Sequence, residues 1–493
     1  MSTSTRNKGL AALALVASGC AVGPTFHRPD APPVTHYTNG ADPTTTVAAG
    51  GTAQKFTRGA VIAADWWRMF HSAQLDAIVR EAIAKNPGIV AAQANLRAST
   101  NELRSGYGVF YPSVNADAAA TRERFSTVGL GQSTPGSIFN LFTVAASVNY
   151  ALDVFGGQRR MIEQLHAEVD VAKATEQATY LTLVANVVNT VIARAAYQAE
   201  IDDTTRLEEL QREQVRLGEI RQQSGILTYA ALLGLRGQLA TYQATIAQLR
   251  QRLAESDDLL ATLCGHTSAE WTPPTLSLSD LTLPEDLPVS LPSDLVRQRP
   301  DILVAEATAH AASANVGIAT AALLPSITLS GGAAASSNSA SRLFPANGRA
   351  WNIGAAANVP VFEGGTAWYK RKAAVEQYKQ AMALYRQTVL SAFDQVADTL
   401  HALDEDAATL LADEAARSDA AEALQLMQAN YTAGVAGYAD VLVVDAQYQQ
   451  AKIVDEQAMA VRYQDSVALF AALGGGWWNG KDSHEDSTPQ KSR

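Results

Sequence analysis

The sequence predicts an internally duplicated α+β chain, in which each half contains a short helix, a β-hairpin and a very long helical hairpin. Three observations support this fold class. Residues 136–272 and 361–488 contain no proline, which leaves room for very long helices. Apolar and polar residues alternate near the start of both stretches, as they do in strands that bury one face. Short motifs of the first half recur in the second half at a nearly constant spacing, so both halves follow one plan.

The composition is that of a folded chain and excludes several classes of protein. Hydrophobic residues make up 47% and charged residues 18% of the 493 positions. A protein that binds nucleic acid must neutralise the phosphates of its backbone. The formal net charge of −11 is unsuited to this, so no nucleic-acid partner is expected. Two cysteines, Cys20 and Cys264, exclude a disulfide framework and a four-cysteine zinc site. A membrane-spanning helix needs about 18 consecutive apolar residues, and the sequence contains no such run.

The N-terminus resembles a bacterial export signal followed by a lipidation site. Two basic residues precede a short apolar run, Leu10–Ala17, which is too short to span a bilayer. Small residues then lead to Cys20 in a sequence similar to a lipobox, with Ala17 where leucine is usual. Residues 1–19 are therefore predicted to be a signal peptide, and plain cleavage without lipidation is the alternative. Lipidation would place an N-acyl and an S-diacylglycerol group on Cys20, and no other cofactor is expected.

Two β-hairpins are predicted, at about residues 113–153 and 326–360. In each, apolar residues alternate with polar or small ones, and a loop rich in Gly, Ser, Asn and Pro joins the strands. The apolar positions are Val114, Ala116, Ala118, Ala120, Phe142, Val144, Ala146, Val148 and Tyr150 in the first hairpin, and Ile327, Leu329, Trp351, Ile353, Ala355, Ala357 and Val359 in the second.

These strands allow two interpretations. An antiparallel sheet packed on helices would show the same alternation. A membrane barrel is the alternative, with the apolar face toward lipid and the polar face toward water. Four strands cannot close alone, because membrane barrels begin at about eight strands. A dimer would supply eight strands and a trimer twelve, and the count alone does not choose between them.

Two long helical hairpins are predicted, at about residues 158–264 and 366–473. Residues 158–223 would form one helix about 100 Å long. Gly225 and Gly434 interrupt these helical stretches and are expected to reverse the chain. Apolar residues at alternating steps of three and four form a heptad seam in each half. The seam positions are Val171, Ala174, Ala178, Leu181, Ala185, Val188, Ile192 and Ala195, and then Val389, Phe393, Val396, Leu400, Leu403, Ala407 and Leu410.

The internal repeat is visible in matched motifs. Asn86-Pro87-Gly88-Ile89 and Arg299-Pro300-Asp301-Ile302 align at an offset of 299 − 86 = 213. Gly225-Ile226-Leu227-Thr228-Tyr229 and Gly434-Val435-Ala436-Gly437-Tyr438 align at 434 − 225 = 209. The predicted organisation follows from these matches. It comprises a signal peptide (1–19), an N-terminal segment (20–85), repeat 1 (86–265), a linker (266–298), repeat 2 (299–473) and a C-terminal tail (474–493).

Several of these motifs together resemble the TolC-like outer-membrane efflux proteins, and the lipoprotein, NodT-like branch fits best. The resemblance covers nearly the whole mature chain. The motifs are Gly23-Pro24-Thr25-Phe26-His27-Arg28-Pro29, Asp65-Trp66-Trp67-Arg68-Met69-Phe70, Asn86-Pro87, Arg299-Pro300-Asp301-Ile302, Leu324-Pro325-Ser326 and Phe362-Glu363-Gly364-Gly365. The resemblance implies a homotrimer with a 12-stranded β-barrel in the outer membrane, a long α-helical barrel in the periplasm and a mixed equatorial belt. Segments at about 31–85 and 267–298 and the tail after Gly474 would form that belt.

The resemblance also implies a function and partners. The chain would be a passive duct of a tripartite efflux pump, lipid-anchored in the outer membrane, which exports drugs, solvents or similar toxic small molecules. A periplasmic adaptor would connect it to an inner-membrane RND-type transporter that supplies the energy. A structural coiled-coil lipoprotein and an export duct for protein or metal ions are the alternatives. An enzyme is not expected, because the sequence contains no HExxH, GxSxG or phosphate-loop motif.

The candidate site residues lie at the two glycine turns. In the family these tips contact the adaptor, which assigns that role to Gly225, Ile226, Gly434 and Val435. Asp440 matches the position of an acidic constriction ring, and Tyr431 matches a residue that helps to close the mouth. A plain acidic residue at a helix start is the alternative for Asp440. No catalytic or metal-binding residues are predicted.

Overall fold

The computed structural model describes residues 21–126, 131 and 136–479. The predicted signal peptide, Cys20 and the end of the C-terminal tail lie outside these residues. The helices are α1 (Ala73–Lys85), α2 (Pro87–Gly106), α3 (Gly157–Gln223), α4 (Tyr229–Leu263), α5 (Pro292–Gln298), α6 (Pro300–Ala321), α7 (Thr366–Thr432) and α8 (Tyr438–Ala472). The strands are β1 (Lys55–Arg58), β2 (Ser113–Phe125), β3 (Ser137–Leu152), β4 (Asp286–Val289), β5 (Ser326–Ser337) and β6 (Arg349–Asn358).

The order of elements is the same in both halves: a helix, two strands, a very long helix and a shorter return helix. Helices α3 and α7 each contain 67 residues, and the return helices α4 and α8 each contain 35. At 1.5 Å per residue, α3 and α7 are each about 100 Å long.

The described chain divides into two compact units, and both halves contribute to each. The first contains the residues up to Pro29, Asn95–Ala172 and Ala305–Tyr385. The second contains Asp30–Ala94, Lys173–Val304 and the residues from Arg386 onward. The sheet of β2, β3, β5 and β6 therefore lies in the first unit, and both hairpin tips lie in the second.

The first unit contains a four-stranded antiparallel sheet in the order β2-β3-β5-β6. Its register aligns the apolar positions of all four strands: Val114 pairs with Val148, Val148 with Gly331, and Gly331 with Ile353. Since side chains alternate along a strand, this register places the predicted apolar positions on one face. The opposite face is polar or small at this level, because the next row across the sheet is Asn115, Ser147, Gly332 and Asn352.

The apolar face of the sheet is exposed. The side chain of Val114 is 70% exposed, and those of Trp351 and Ile353 are 78% and 82% exposed. An exposed apolar surface of this extent marks a contact with a membrane or another protein. The interpretation in which this face packs on helices of the same chain is therefore not supported.

The heptad seams of the second unit are buried. Val188 and Ile192 of α3 and Val396 and Leu400 of α7 are all fully buried. A glycine in the left-handed region precedes the start of each long helix: Gly156 has a φ of +78° and Gly365 a φ of +85°. These conformations favour glycine over residues with a side chain.

One helix stands out by its mean hydropathy. Among the described residues, α6 is long and apolar enough on average to cross a bilayer, although it contains no unbroken apolar run. Its residues are instead engaged within the first unit: Glu306 pairs with Arg28 at 2.6 Å, and the His310 ring stacks on Phe26 at 4.6 Å. Alanines raise the mean hydropathy of α6, and the contacts of Glu306 and His310 account for it as a packed helix of the protein.

The segments predicted to form a belt lie within the second unit. Trp66 and Phe70 are buried, and the Trp66 ring stacks on Phe470 of α8 at 5.0 Å. Strands β1 and β4 pair in parallel, with Phe56 opposite Leu287. This pair was not predicted, because each strand contains only four residues and their partners lie far apart in sequence.

Candidate functional site: the tips of the helical hairpins

The first hairpin tip is a Schellman turn. The N–H of Gly225 donates to the carbonyl oxygen of Gln222 at 3.0 Å, and that of Ile226 donates to the carbonyl oxygen of Arg221 at 2.8 Å. Gly225 has a φ of +72°, in the left-handed region. These bonds satisfy the last carbonyl groups of α3 and reverse the chain.

The second tip repeats this turn. The N–H of Gly434 donates to the carbonyl oxygen of Tyr431, and that of Val435 donates to the carbonyl oxygen of Asn430, both at 2.9 Å. Gly434 has a φ of +77°. Both turns present an apolar side chain to solvent, since Ile226 is 76% and Val435 80% exposed. The predicted tip residues are thus exposed apolar groups at two matching chain reversals.

The tips differ where the return helix begins. At α4, the Thr228 side chain accepts a hydrogen bond from the N–H of Ala231 at 3.2 Å. The residue in this position before α8 is Gly437, which has no side chain to accept one. Asp440 caps the helix instead, because its Oδ2 accepts the N–H of Gly437 at 2.9 Å. Ala231 is the counterpart of Asp440, so only the second tip carries this carboxylate.

Asp440 is exposed, and its Oδ1 atom has no hydrogen-bond donor within the described part of the chain. The cap that was an alternative interpretation is therefore present. Because it uses only one carboxylate oxygen, the cap leaves the other free to face ions. Tyr431 is 47% exposed and lies beside Tyr438, with ring centroids 5.7 Å apart.

The ion pairs that hold α8 against α3 were not predicted from the sequence. Arg206 of α3 bonds to Asp445 of α8 at 3.2 Å, and the Asp445 side chain is only 12% exposed. Gln449 donates to the other oxygen of Asp445 at 3.1 Å. Both carboxylate oxygens of Asp445 are thus engaged within α3 and α8. Arg206 and Asp445 are 239 residues apart, so no local pattern could link them.

A second link between α3 and α8 involves two carboxylates and one ammonium. Lys452 lies 2.6 Å from Asp203 and 3.4 Å from Glu456, and the Asp203 side chain is 7% exposed. The pKa of Glu456 is raised to about 7. Burial is the largest cause and the negative charge of Asp203 the second, while Lys452 acts in the opposite direction. Asp203 Oδ2 and Glu456 Oε2 are buried and have no donor in the described structure.

Two carboxyl groups, Asp465 of α8 and Asp406 of α7, lie near each other between these helices. Burial and the neighbouring carboxyl of Asp406 raise the pKa of Asp465 to about 8. Arg417 and Asp455 add an ion pair of 2.9 Å between the same two helices.

The first hairpin is linked internally close to its tip. Arg236 of α4 pairs with Glu219 of α3 at 2.6 Å, and Gln243 donates to Glu208 at 3.0 Å. Gln211 also donates to the carbonyl oxygen of Leu235, at 2.9 Å.

The described residues contain no group of three or more His, Cys, Asp or Glu side chains placed to hold a metal ion. Cys264 is fully buried, and burial raises the pKa of its thiol to about 12. Cys264 therefore packs as a small hydrophobic residue and is not a reactive thiol.

Comparison with known proteins identifies the family. The family model described as "Outer membrane efflux protein" matches residues 78–266 and 291–475. The chain belongs to this family. It is accordingly an outer-membrane efflux channel, as the resemblance of its motifs predicted.

Relatives and solved structures agree over most of the chain. The pyoverdine export outer membrane protein OpmQ of Pseudomonas putida is 28% identical, over 84% of this chain and 88% of OpmQ. The probable outer membrane lipoprotein SilC of Salmonella typhimurium is 27% identical, over 84% of this chain and 88% of SilC. The structure of the outer-membrane channel OprN matches with a TM-score of 0.79 and 25% identity, over 93% of this chain and all of OprN.

Proposed function

We propose that this efflux channel is a passive homotrimeric duct with a 12-stranded barrel and a long α-helical barrel. The observation that carries the proposal is the register of the four strands, which aligns their apolar residues on one exposed face. Strands of 10 to 16 residues are long enough to cross a bilayer. Strands β2 and β6 are the edges of this sheet, and a membrane tolerates no unpaired edge.

A trimer would leave no strand edge unpaired in the membrane. Three copies of the sheet supply twelve strands, and pairing β6 of one copy with β2 of the next would remove every edge. Internal duplication explains why the sheet draws equally on both halves. The matching lengths of α3 and α7, and of α4 and α8, support that duplication.

The test of this proposal is the assembly and conductance of the purified mature protein. We expect trimers by native mass spectrometry and discrete conductance steps in a planar bilayer. Monomers that do not insert would overturn the duct and favour a structural coiled-coil lipoprotein.

The N-terminal segment supports a lipid anchor at the junction of strand and helix. Val22 donates its N–H to the carbonyl oxygen of Phe155 at 3.0 Å, and Arg160 donates to the carbonyl oxygen of Val22 at 3.0 Å. These bonds hold the residues that follow Cys20 next to the end of β3 and the start of α3, where the membrane surface would lie. The lipoprotein name of SilC supports an acylated Cys20.

Replacing the acylated cysteine tests the anchor. Cys20→Ser is expected to remove the lipid, visible as a mass decrease, while trimers persist because the barrel supplies its own membrane burial. An unchanged mass of the Cys20→Ser protein would exclude acylation at this residue.

The hairpin tips supply the partner sites in this proposal. Ile226 and Val435, presented by the turns at Gly225 and Gly434, would contact a periplasmic adaptor that connects the duct to an inner-membrane RND-type transporter. Asp440 would line the closed mouth with three carboxylates in the trimer and attract cations, and Tyr431 would pack at its rim. No enzymatic step is required of the chain, because the transporter supplies the energy.

The cargo in this proposal is a toxic or excreted small molecule. The name of OpmQ describes pyoverdine export, which supports an organic small molecule over a protein. Metal-ion export is a weaker candidate, since the described residues lack a clustered metal site.

A further inference from the structure

A group of exposed basic and aromatic residues begins α7, directly after the last strand of the sheet. We refer to Trp368, Tyr369, Lys370 and Lys372 as the basic–aromatic cluster. Trp368 is 50% and Tyr369 66% exposed, and both lysines are exposed. Arg371 lies between the lysines but is half-buried, and its Nε donates to Thr320 Oγ1 at 3.1 Å.

The lysines of the cluster have no anionic partner. Within the described part of the chain, no carboxylate lies within 4.0 Å of the Nζ atom of Lys370 or Lys372. The Lys372 ammonium instead lies 5.5 Å from the centre of the Trp368 ring and 5.7 Å from that of Tyr369. This contact orients the positive charge without neutralising it.

At the corresponding junction of the first repeat, the positive charges are paired with neighbouring carboxylates of the same chain. At the start of α3, Arg159 pairs with Asp153 at 3.0 Å, and Arg160 pairs with Glu163 at 2.6 Å. The start of α7 therefore differs from its counterpart in carrying unpaired positive charge. In a chain of net charge −11, such charge is available to an external anion.

The cluster comes shortly after the last strand of the sheet in the chain, and the residues between them are exposed and apolar. Val361 and Phe362, between β6 and α7, are both 88% exposed. Tryptophan and tyrosine concentrate at the level where a membrane barrel leaves the hydrocarbon core, and lysines reach from there to the headgroups. If the sheet crosses the outer membrane as proposed, the cluster lies at the periplasmic surface of that membrane.

We propose that the basic–aromatic cluster binds the phosphate groups of anionic phospholipids at the periplasmic surface of the outer membrane. Lys370 and Lys372 would contact the phosphates, while Trp368 and Tyr369 would insert among the glycerol and upper acyl groups. This inference rests on the proposed function, because it requires the sheet to lie in the membrane. A trimer would present six such lysines around its circumference.

Lipid binding to the detergent-solubilised trimer, measured by native mass spectrometry, tests the inference. We expect the wild-type protein to bind phosphatidylglycerol more tightly than phosphatidylcholine, by about fivefold for each lysine that contacts a headgroup. The variant K370Q/K372Q should lose this preference. The control K85Q/K379Q removes the same charge from lysines that are already paired with Glu81 and Glu376, and should retain it.

Three outcomes would overturn the inference. A phosphatidylglycerol preference that K370Q/K372Q retains, or none in the wild type, would exclude lipid binding by the cluster. Equally tight binding of soluble glycerol phosphate would show that a free phosphate, and not a lipid, is the ligand. Planar-bilayer conductance of the same preparation separates the two proposals, because protein that conducts without a lipid preference contradicts this inference alone.

Discussion

The two hairpin tips share one turn but are fastened differently. Gly225 and Gly434 close identical Schellman turns. The first hairpin is linked to itself near its tip by pairs such as Arg236–Glu219. The return helix of the second, besides its own pair with α7, is also tied to the first hairpin through Asp445 and Lys452. The turn follows from local sequence, but the fastening depends on side chains that are distant in sequence. Breaking the pairs of α8 should therefore release the second hairpin and leave the first intact.

Removal of Lys452 is expected to have the largest effect. Lys452→Met leaves Asp203 and Glu456 buried without a cation, which should destabilise the contact of α8 with α3 by about 2–4 kcal/mol. Faster amide hydrogen exchange in α8 would report this loss. Lys379→Met is the control, because Lys379 pairs with Glu376 on the surface, and it should change exchange little. Equal exchange in both variants would show that the buried pair does not hold α8.

The two arginine pairs allow a direct comparison of the hairpins. Arg206→Gln breaks the link between hairpins and should destabilise α8 by about 1–2 kcal/mol, since Asp445 is largely buried. Arg236→Gln breaks the exposed link within the first hairpin and should have an effect below about 1 kcal/mol. In planar bilayers we expect a larger single-channel conductance for Arg206→Gln only. Equal changes in both variants would refute the distinction between the hairpins.

Stability should decrease with rising pH because of two carboxyl groups with raised pKa values, Asp465 and Glu456. Glu456 contributes part of the decrease. Its pKa is raised in the folded protein, so the folded state binds the proton more tightly than the unfolded state. The stabilisation is complete below about pH 4.5 and is lost as the pH rises through about 7. We expect a loss of about 1 kcal/mol between pH 5 and pH 8, a value reduced for the partial exposure of Glu456.

The variant Glu456→Gln tests this pH dependence. It should reduce the decline of the melting temperature between pH 5 and pH 8 without abolishing it, because Asp465 still contributes. The control Glu213→Gln, which removes a carboxylate paired with Arg216 on α3, should leave the decline as in the wild type. A decline that persists unchanged in Glu456→Gln would assign it to another group, with Asp465 the next candidate.

The smallest effects should come from the caps of the return helices. Thr228→Ala and Asp440→Ala each remove one acceptor and should cost about 0.5–1 kcal/mol at the start of α4 and α8, respectively. Amide exchange of the first helical turn should increase in the altered helix only. Increased exchange in both helices would mean that the tips are coupled.

The sequence was sufficient to predict features that depend on local pattern. Alternation placed Val114, Phe142 and Trp351 on strands, and their pairing follows because a shift by one residue would exchange the two faces of the sheet. The absence of proline and the glycines at 225 and 434 located the helical hairpins and their reversals.

Features that depend on distant side chains were not predictable. Neither the pairing of Arg206 with Asp445 nor the parallel strands β1 and β4 leaves a periodic signal. The cap role of Asp440 was one of two interpretations, because an acidic residue near a helix start suits a cap and a pore equally well. Only the hydrogen bond to Gly437 established the cap.

The charge selectivity of the open mouth tests the account most directly. Asp440→Asn keeps an oxygen that can accept the N–H of Gly437 but removes the negative charge, so it separates the cap from the constriction ring. In planar bilayers under a potassium chloride gradient, the wild-type channel should show a cation-selective reversal potential. We predict that Asp440→Asn shifts it toward zero. An unchanged reversal potential would contradict the account and leave Asp440 as a helix cap alone.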